Sequence, residues 1–138
     1  MKKLFLPYEI SIKLKKLGFD ESCFCWYNFY AVDILEHGYN RNSDGWLQGN
    51  HCSAPLYQQV LDWLRENHNI HIEIQTFGDK ETSLTYRYWL VNIQKSNRLD
   101  LALLECSDES TSKEYTSYYE ALNDGIIKQT NILLNDNI

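Results

Sequence analysis

The chain contains no apolar stretch long enough to act as a secretory signal or to span a membrane. The residues before Pro7 include two lysines and only a short apolar run. We therefore expect a cytoplasmic protein with no membrane partner. In that compartment its 4 cysteines should stay reduced.

Sequence motifs for common chemistries are also absent. The chain has no glycine-rich phosphate loop, no H-E-x-x-H, no G-x-S-x-G and no D-x-D-x-D-G calcium loop. It has no internal repeat, low-complexity tract or linker between domains. We expect no cofactor, and a chain of 138 residues predicts a single domain spanning residues 1–138.

Basic residues are fewer than acidic ones. Lys plus Arg total 13 against 19 for Asp plus Glu, and the net charge of −6 disfavours nucleic acid as a partner. The lysines cluster near the N-terminus, where a solvated helix face is favoured over a basic docking patch. The clustered residues are Lys2, Lys3, Lys13, Lys15 and Lys16.

The first half of the chain predicts a helix, a strand, a loop and a second helix. Apolar residues at helical spacing predict a helix over residues 8–17 that ends at Gly18. Residues 23–30 are apolar on both alternating faces, which predicts a covered central strand, and residues 31–35 extend it or begin its partner. Residues 36–51 predict the largest loop, and a helix over 54–67 should be capped by Ser53.

The second half predicts a hairpin and a terminal helix. Residues 70–77 alternate, with Ile70, Ile72 and Ile74 inward, and residues 84–93 form the returning strand after a turn at 78–81. Residues 99–106 suit a further strand, although a helix also fits, and residues 107–116 are polar.

The terminal helix should begin at Ser117, with Glu120 completing a capping box, and run to Leu134. Gly125 inside this helix is unfavourable by about 1 kcal/mol relative to alanine, which indicates close approach to a strand. Taken together, these elements predict an α+β fold. We expect an antiparallel sheet of about four or five strands, with two or three helices packed mainly on one face.

The thiols and imidazoles suggest two alternatives. Cys23-x-Cys25, His37 and His51-Cys52 offer zinc ligands, but their spacing differs from that of fingers and ribbons. Burial as small hydrophobic side chains is favoured for Cys23, Cys25 and Cys106. Nothing in the sequence pairs a histidine with a nucleophile.

Aromatic residues are abundant, at 14% of the chain, and they suggest a binding surface. The aromatic set Tyr27, Tyr30, Tyr86, Tyr88 and Trp89 favours a core or protein interface over stacking with bases or sugars. The predicted interaction surface combines outward residues of the hairpin with aromatic residues of the predicted loop. Its residues are His71, Glu73, Gln75, Arg87, Trp89, Tyr39 and Trp46.

Several short segments spread over most of the chain match a known pattern. They are Leu6-Pro7-Tyr8-Glu9, Gly18-Phe19, Cys23-Phe24, Ala54-Pro55, Tyr57-Gln58-Gln59, Trp63-Leu64-Arg65-Glu66, Tyr119-Glu120-Ala121-Leu122 and Gly125-Ile126. In these segments the chain resembles a family of small uncharacterised bacterial proteins associated with prophages and other mobile elements. The family has no assigned activity, so the resemblance implies a single cytoplasmic domain and transfers no catalytic residue.

Three functions fit these observations. The first is a non-enzymatic protein-protein interaction module of a bacterial mobile element or phage, for which a homodimer is one option. The second is an acidic inhibitor or immunity-type protein that occupies a basic site. The third is a small enzyme or metal-binding protein using His51 and Cys52.

Overall fold

A computed structural model describes residues 2–28, 31–78, 84–92 and 114–136. The helices are a 3₁₀ helix at Lys2–Leu4 and α-helices α1 (Tyr8–Lys16), α2 (Tyr57–His68) and α3 (Tyr118–Asp136). The strands are β1 (Cys23–Asn28), β2 (Ala31–Asn40), β3 (Cys52–Ala54), β4 (Ile70–Phe77) and β5 (Thr85–Asn92).

Over these ranges the fold is α+β with five antiparallel strands, as predicted. The strands form two sheets instead of the single predicted sheet, one with the order β2-β1-β3 and one pairing β4 with β5. Strand alternation indicates which residues share a face, but it does not specify which strands pair.

None of the helices in the described ranges has the length and apolar character needed to cross a bilayer.

The chain divides into two compact units. Unit 1 comprises Met1–Val60 and Thr130–Ile138, and unit 2 comprises Leu61–Gln129. Helices α2 and α3 each continue from one unit into the other. The single domain over residues 1–138 stays a prediction, and each unit is described separately.

In unit 1, helix α1 begins after Pro7 and buries Ile10 and Leu14. It ends as predicted at Gly18, whose φ of +91° lies in the left-handed region. The amide of Phe19 then donates to the carbonyl of Leu14 at 3.0 Å, and that of Gly18 to the carbonyl of Lys15 at 3.1 Å. This is a Schellman motif, and the buried Phe19 side chain fixes where the chain leaves the helix.

The sheet of unit 1 has β1 at its centre. Trp26 pairs with Glu36 of β2 on one side and with Ser53 of β3 on the other. The inner face of the sheet supplies a buried cluster of Cys25, Tyr27, Cys52 and Ala54, which Phe5 completes. Three partly buried residues pack against this cluster, namely Tyr8 and Ile12 of α1 and Leu56 just before α2.

In unit 2, β4 and β5 form the predicted hairpin with Ile70 opposite Asn92 and Phe77 opposite Thr85. Ile70 and Ile72 are buried and Ile74 is half-buried, so the predicted inward set is confirmed in its first two members. Tyr115 adds one further bridge at the edge of β5. It exchanges two backbone hydrogen bonds with Tyr86, at 2.8 and 2.9 Å.

The prediction for Gly125 is confirmed. A Cβ atom at this position would lie 3.2 Å from Ile72 Cγ2 and 3.2 Å from Tyr88 Cγ. The helix therefore approaches the hairpin too closely for any side chain to fit without a shift. Glycine is used here for space, since its φ is not in the left-handed region.

Two predicted boundaries are wrong. The predicted loop over 36–51 begins later, because β2 continues to Asn40 and its pairing with β1 outweighs the turn-forming residues. Ser53 and Ala54 belong to β3 and not to a helix or its cap, since both pair with β1. Helix α2 instead begins at Tyr57, and Gln59 Oε1 accepts the amide hydrogen of Leu56 at 3.0 Å.

The further strand predicted over residues 99–106 lies outside the described residues.

The predicted capping box of the last helix is also altered. Helix α3 begins at Tyr118 after Ser117, as predicted. Glu120 Oε2, however, accepts a hydrogen bond from Thr116 Oγ1 at 3.4 Å. Residues 107–113 lie outside the described residues.

Candidate protein-binding surface

The face of the unit 1 sheet opposite the buried cluster carries exposed aromatic rings. Phe24 and Trp26 are two residues apart on β1, so both side chains project from this face. Phe24 is 54% exposed and Trp26 is half-buried. The prediction of a covered strand is therefore wrong for this face, although β1 is the central strand of its sheet.

Each of these two rings has aromatic neighbours from elsewhere in unit 1. The Phe24 ring lies 5.5 Å from the Tyr39 ring of β2, which is 80% exposed. The Trp26 ring meets the Trp46 ring edge-on at 4.6 Å and lies 5.8 Å from the His51 imidazole. We call these five residues the outer aromatic surface.

The loop that supplies two members of this surface spans residues 41–51, and side chains fix it at both ends. Asn42 Nδ2 donates to the carbonyl of Phe19 at 2.6 Å, while its Oδ1 accepts from the amide of Ser53 at 2.9 Å. Asn42 thus joins the loop to β3 and to the end of α1. The amide of Ser43 donates to Asp20 Oδ1 at 2.7 Å.

The centre of the loop is also fixed. Asp44 Oδ2 accepts the amide hydrogen of Arg41 at 2.6 Å, and the Asp44 carbonyl accepts that of Leu47 at 2.9 Å. Leu47 is fully buried, whereas the preceding Trp46 is 49% exposed. The loop therefore holds Trp46 at the surface in an ordered backbone, which reduces the entropy lost on binding.

The structure separates the two residues of the metal or enzyme alternative. His51 contacts Trp26 on the outer aromatic surface, while Cys52 lies in the buried cluster against the opposite face. Within the described ranges no three His, Cys, Asp or Glu side chains are grouped so as to hold a metal ion. The side chains of His51 and Cys52 are therefore not brought together, and the metal or enzyme alternative stays a prediction.

The described cysteines are buried, as predicted for Cys23 and Cys25. Burial, with a smaller contribution from the carboxylate of Glu21, raises the pKa of the Cys23 thiol to about 12. Burial also raises the pKa of Cys52 to about 12, against a smaller opposing effect of the Lys15 ammonium. Thiols with these pKa values are neutral at physiological pH and poor nucleophiles. Cys106 lies outside the described residues.

These shifts predict alkaline destabilisation. In the unfolded state the two thiols have pKa values near 9.0, whereas in the folded state the values are about 12. Between pH 9 and about 12 the folded state therefore keeps protons on Cys23 and Cys52 that the unfolded state has lost. The free energy of unfolding should therefore fall as the pH rises above 9, by up to ~1.4 kcal/mol per pH unit for each thiol. Urea denaturation from about pH 8 to pH 10 measures this slope. Cys52→Ala should make the slope shallower, and an unchanged slope would contradict the prediction.

The hairpin residues of the predicted interaction surface lie in unit 2 and share one face. Glu73 is opposite Trp89 and Gln75 is opposite Arg87, with His71 on the same side of β4. Glu73 is exposed, whereas the other four are half-buried.

This face is partly occupied by contacts within unit 2. Arg87 pairs with Glu114, and its guanidinium lies 4.7 Å from the centre of the Phe77 ring. The Trp89 indole N–H is buried without a hydrogen-bond partner among the residues that the structure describes. A binding role for this face stays a prediction.

The predicted surface is thus divided between the units. Tyr39 and Trp46 are members of the outer aromatic surface, but the sequence prediction missed Phe24, Trp26 and His51. The alternation in residues 23–28 contained a signal for Phe24 and Trp26, because both lie on the face without cysteine. The contact between Trp26 and Trp46 had no such signal.

Two tyrosines of the aromatic set are core residues, as favoured from the sequence. Tyr27 and Tyr88 are buried, and the hydroxyl of Tyr27 donates to the Leu6 carbonyl at 2.5 Å. Tyr30 lies outside the described residues. The set therefore does not form one stacking surface.

Comparison with known proteins gave no match: no family model, no curated protein and no solved structure was found to be similar to this chain.

Proposed function

We propose that this protein is a non-enzymatic protein-binding module and that its outer aromatic surface contacts the partner. The observation that supports this most directly is the exposure of Phe24, Tyr39 and Trp46 on one ordered face. Aromatic residues are enriched in protein interfaces, where tryptophan and tyrosine often contribute most of the binding energy. The hydrogen bonds that fix the 41–51 loop favour binding without rearrangement.

The charge of the chain indicates what kind of partner fits. The net charge is −6, so a protein with a basic surface is attracted over long range. Arginine and lysine side chains of such a partner can also stack on the exposed rings through cation–π contacts. The partner we propose is therefore a protein with exposed basic and apolar side chains. In view of the resemblance described above, we expect it to be encoded by a bacterial mobile element or its host.

Site-specific photocrosslinking tests this proposal. Phe24→benzoylphenylalanine places the crosslinker on the outer aromatic surface, and Leu84→benzoylphenylalanine is a matched control because both native side chains are 54% exposed. In the cell that encodes the protein, we expect position 24 to crosslink to one partner and position 84 not to do so. The association rate with the purified partner should fall as ionic strength rises.

Two outcomes would contradict the proposal. One is the same crosslinked products at both positions, since the contact would then be unrelated to this surface. The other is crosslinking of position 24 only to a second copy of the chain, with dimers in sedimentation. That result would make the surface a homodimer interface.

A further inference from the structure

Lys15 of α1 forms an unusually complete set of contacts with the 41–51 loop. Its Nζ donates to the carbonyl oxygens of Leu47 at 2.5 Å, Gly49 at 3.2 Å and His51 at 2.7 Å. A lysine ammonium has three hydrogens to donate and accepts none, so these carbonyls use its full capacity. The half-buried lysine is thus bonded to loop backbone through its whole ammonium group.

The backbone of the loop is shaped for this contact. Gly49 has a φ of +64°, a left-handed conformation that L-residues adopt only at a cost. The turn around it brings alternate carbonyls together, and the amide of His51 closes the turn by donating to the Gln48 carbonyl at 3.4 Å. In the absence of a cation, carbonyl dipoles directed at one point would repel each other.

A second side chain of α1 contacts the same stretch. Tyr8 Oη donates to the carbonyl of Asn50 at 2.9 Å. Tyr8 and Lys15 are two helical turns apart on one side of α1, whose Ile10 and Leu14 are buried. The helix therefore fixes four carbonyls of residues 47–51 from a rigid support.

We propose that Lys15 is a positioning residue for the outer aromatic surface, and this inference rests on the proposed function. The stretch that Lys15 contacts, residues 47–51, begins directly after Trp46 and includes His51. It therefore sets where the rings of Trp46 and His51 lie relative to Trp26. Lys15 itself contributes to binding only through the loop. The lysines near the N-terminus consequently differ in role, because Lys16 is solvent-exposed.

The full-length variants Lys15→Met and Lys16→Met provide a matched test. Methionine has nearly the helix propensity of lysine, so both variants should keep α1. In Lys15→Met we expect amide hydrogen exchange of Leu47 and His51 to be at least ~10-fold faster than in the native protein. The NMR signal of the Trp46 indole hydrogen should also shift. Lys16→Met should change neither, and the conservative variant Lys15→Arg should restore part of the protection.

Binding of the partner identified by crosslinking completes the test. We expect Lys15→Met to weaken it at least ~5-fold while Lys16→Met does not, with Lys15→Arg between them. Unchanged exchange of Leu47 and His51 in Lys15→Met would overturn the inference. If Lys15→Met does not fold, the folded variant Lys15→Arg takes its place. Loss of amide protection at Leu47 and His51 in Lys15→Arg would support the inference, whereas full protection together with full binding would overturn it.

The two proposals can fail separately. If Trp46→Ala binds the partner normally, the proposed function fails. Under that result, faster loop exchange in Lys15→Met would still show that Lys15 positions the loop.

Discussion

Replacing Trp46 with alanine should weaken binding of the partner by about 2 kcal/mol or more, which is ~30-fold in the dissociation constant. Trp46 is exposed and meets Trp26 edge-on at 4.6 Å, so its removal takes away both a contact and the support of a neighbouring ring. Titration calorimetry of the purified partner against each variant measures the change. The dissociation rate should account for most of it.

A control separates loss of contact from loss of structure. Tyr118 is 43% exposed and lies in unit 2, so Tyr118→Ala removes a similarly exposed aromatic ring outside the outer aromatic surface. Tyr118→Ala should bind within about twofold of the native protein, and both variants should retain the native circular dichroism spectrum. Equal losses in the two variants would argue against a specific role for Trp46.

Gly125→Val should lower the free energy of unfolding by about 2 kcal/mol or more. The first added carbon would lie only 3.2 Å from Ile72 Cγ2 and from Tyr88 Cγ, before the two methyl groups are considered. Tyr88 has little freedom to move away. It is buried, and its hydroxyl donates to Asp124 Oδ2 at 3.4 Å. Urea denaturation followed by circular dichroism measures the effect.

Gly125→Ala is the matched comparison. Alanine favours a helix over glycine by about 1 kcal/mol, and this gain opposes the close contact of a single Cβ. We therefore expect the alanine variant to differ from the native protein by less than about 1 kcal/mol. If the valine variant proves as stable as the alanine variant, α3 does not pack too closely against the hairpin for a larger side chain.

Local sequence patterns predicted the elements whose residues interact with near neighbours. The alternation from Ile70 to Phe77 gave β4 with its observed ends, and the apolar spacing before Gly18 gave α1. Gly125 was informative because a helix-destabilising residue inside a helix needs a compensating contact, and that contact is present. In each case the deciding interaction is a periodic burial or a backbone constraint that is visible within a few residues.

The same patterns failed where distant residues decide the structure. Residues 36–40 are rich in turn formers, yet they continue β2 because β1 supplies hydrogen-bond partners for their backbone. Ser53 has the character of a helix cap but pairs with Trp26. Local propensity is worth only fractions of a kcal/mol per residue, and sheet pairing outweighs it.

The amino-acid sequence determined the α+β class, the β4–β5 hairpin, the helix ends at Gly18 and Ser117, and the burial of Cys23 and Cys25. Only the tertiary structure decided that the strands form two sheets and that Trp26, Trp46 and His51 meet on one face. The reason is physical: residue type and spacing fix which side of an element is apolar, whereas the partner of that element depends on contacts between residues far apart in the chain. The position of Trp46 depends on such contacts, because Asn42 and Lys15 fix the 41–51 loop. Asn42 in the loop accepts a hydrogen bond from the amide of Ser53 in β3, and Lys15 of α1 donates one to the carbonyl of Leu47 in the loop.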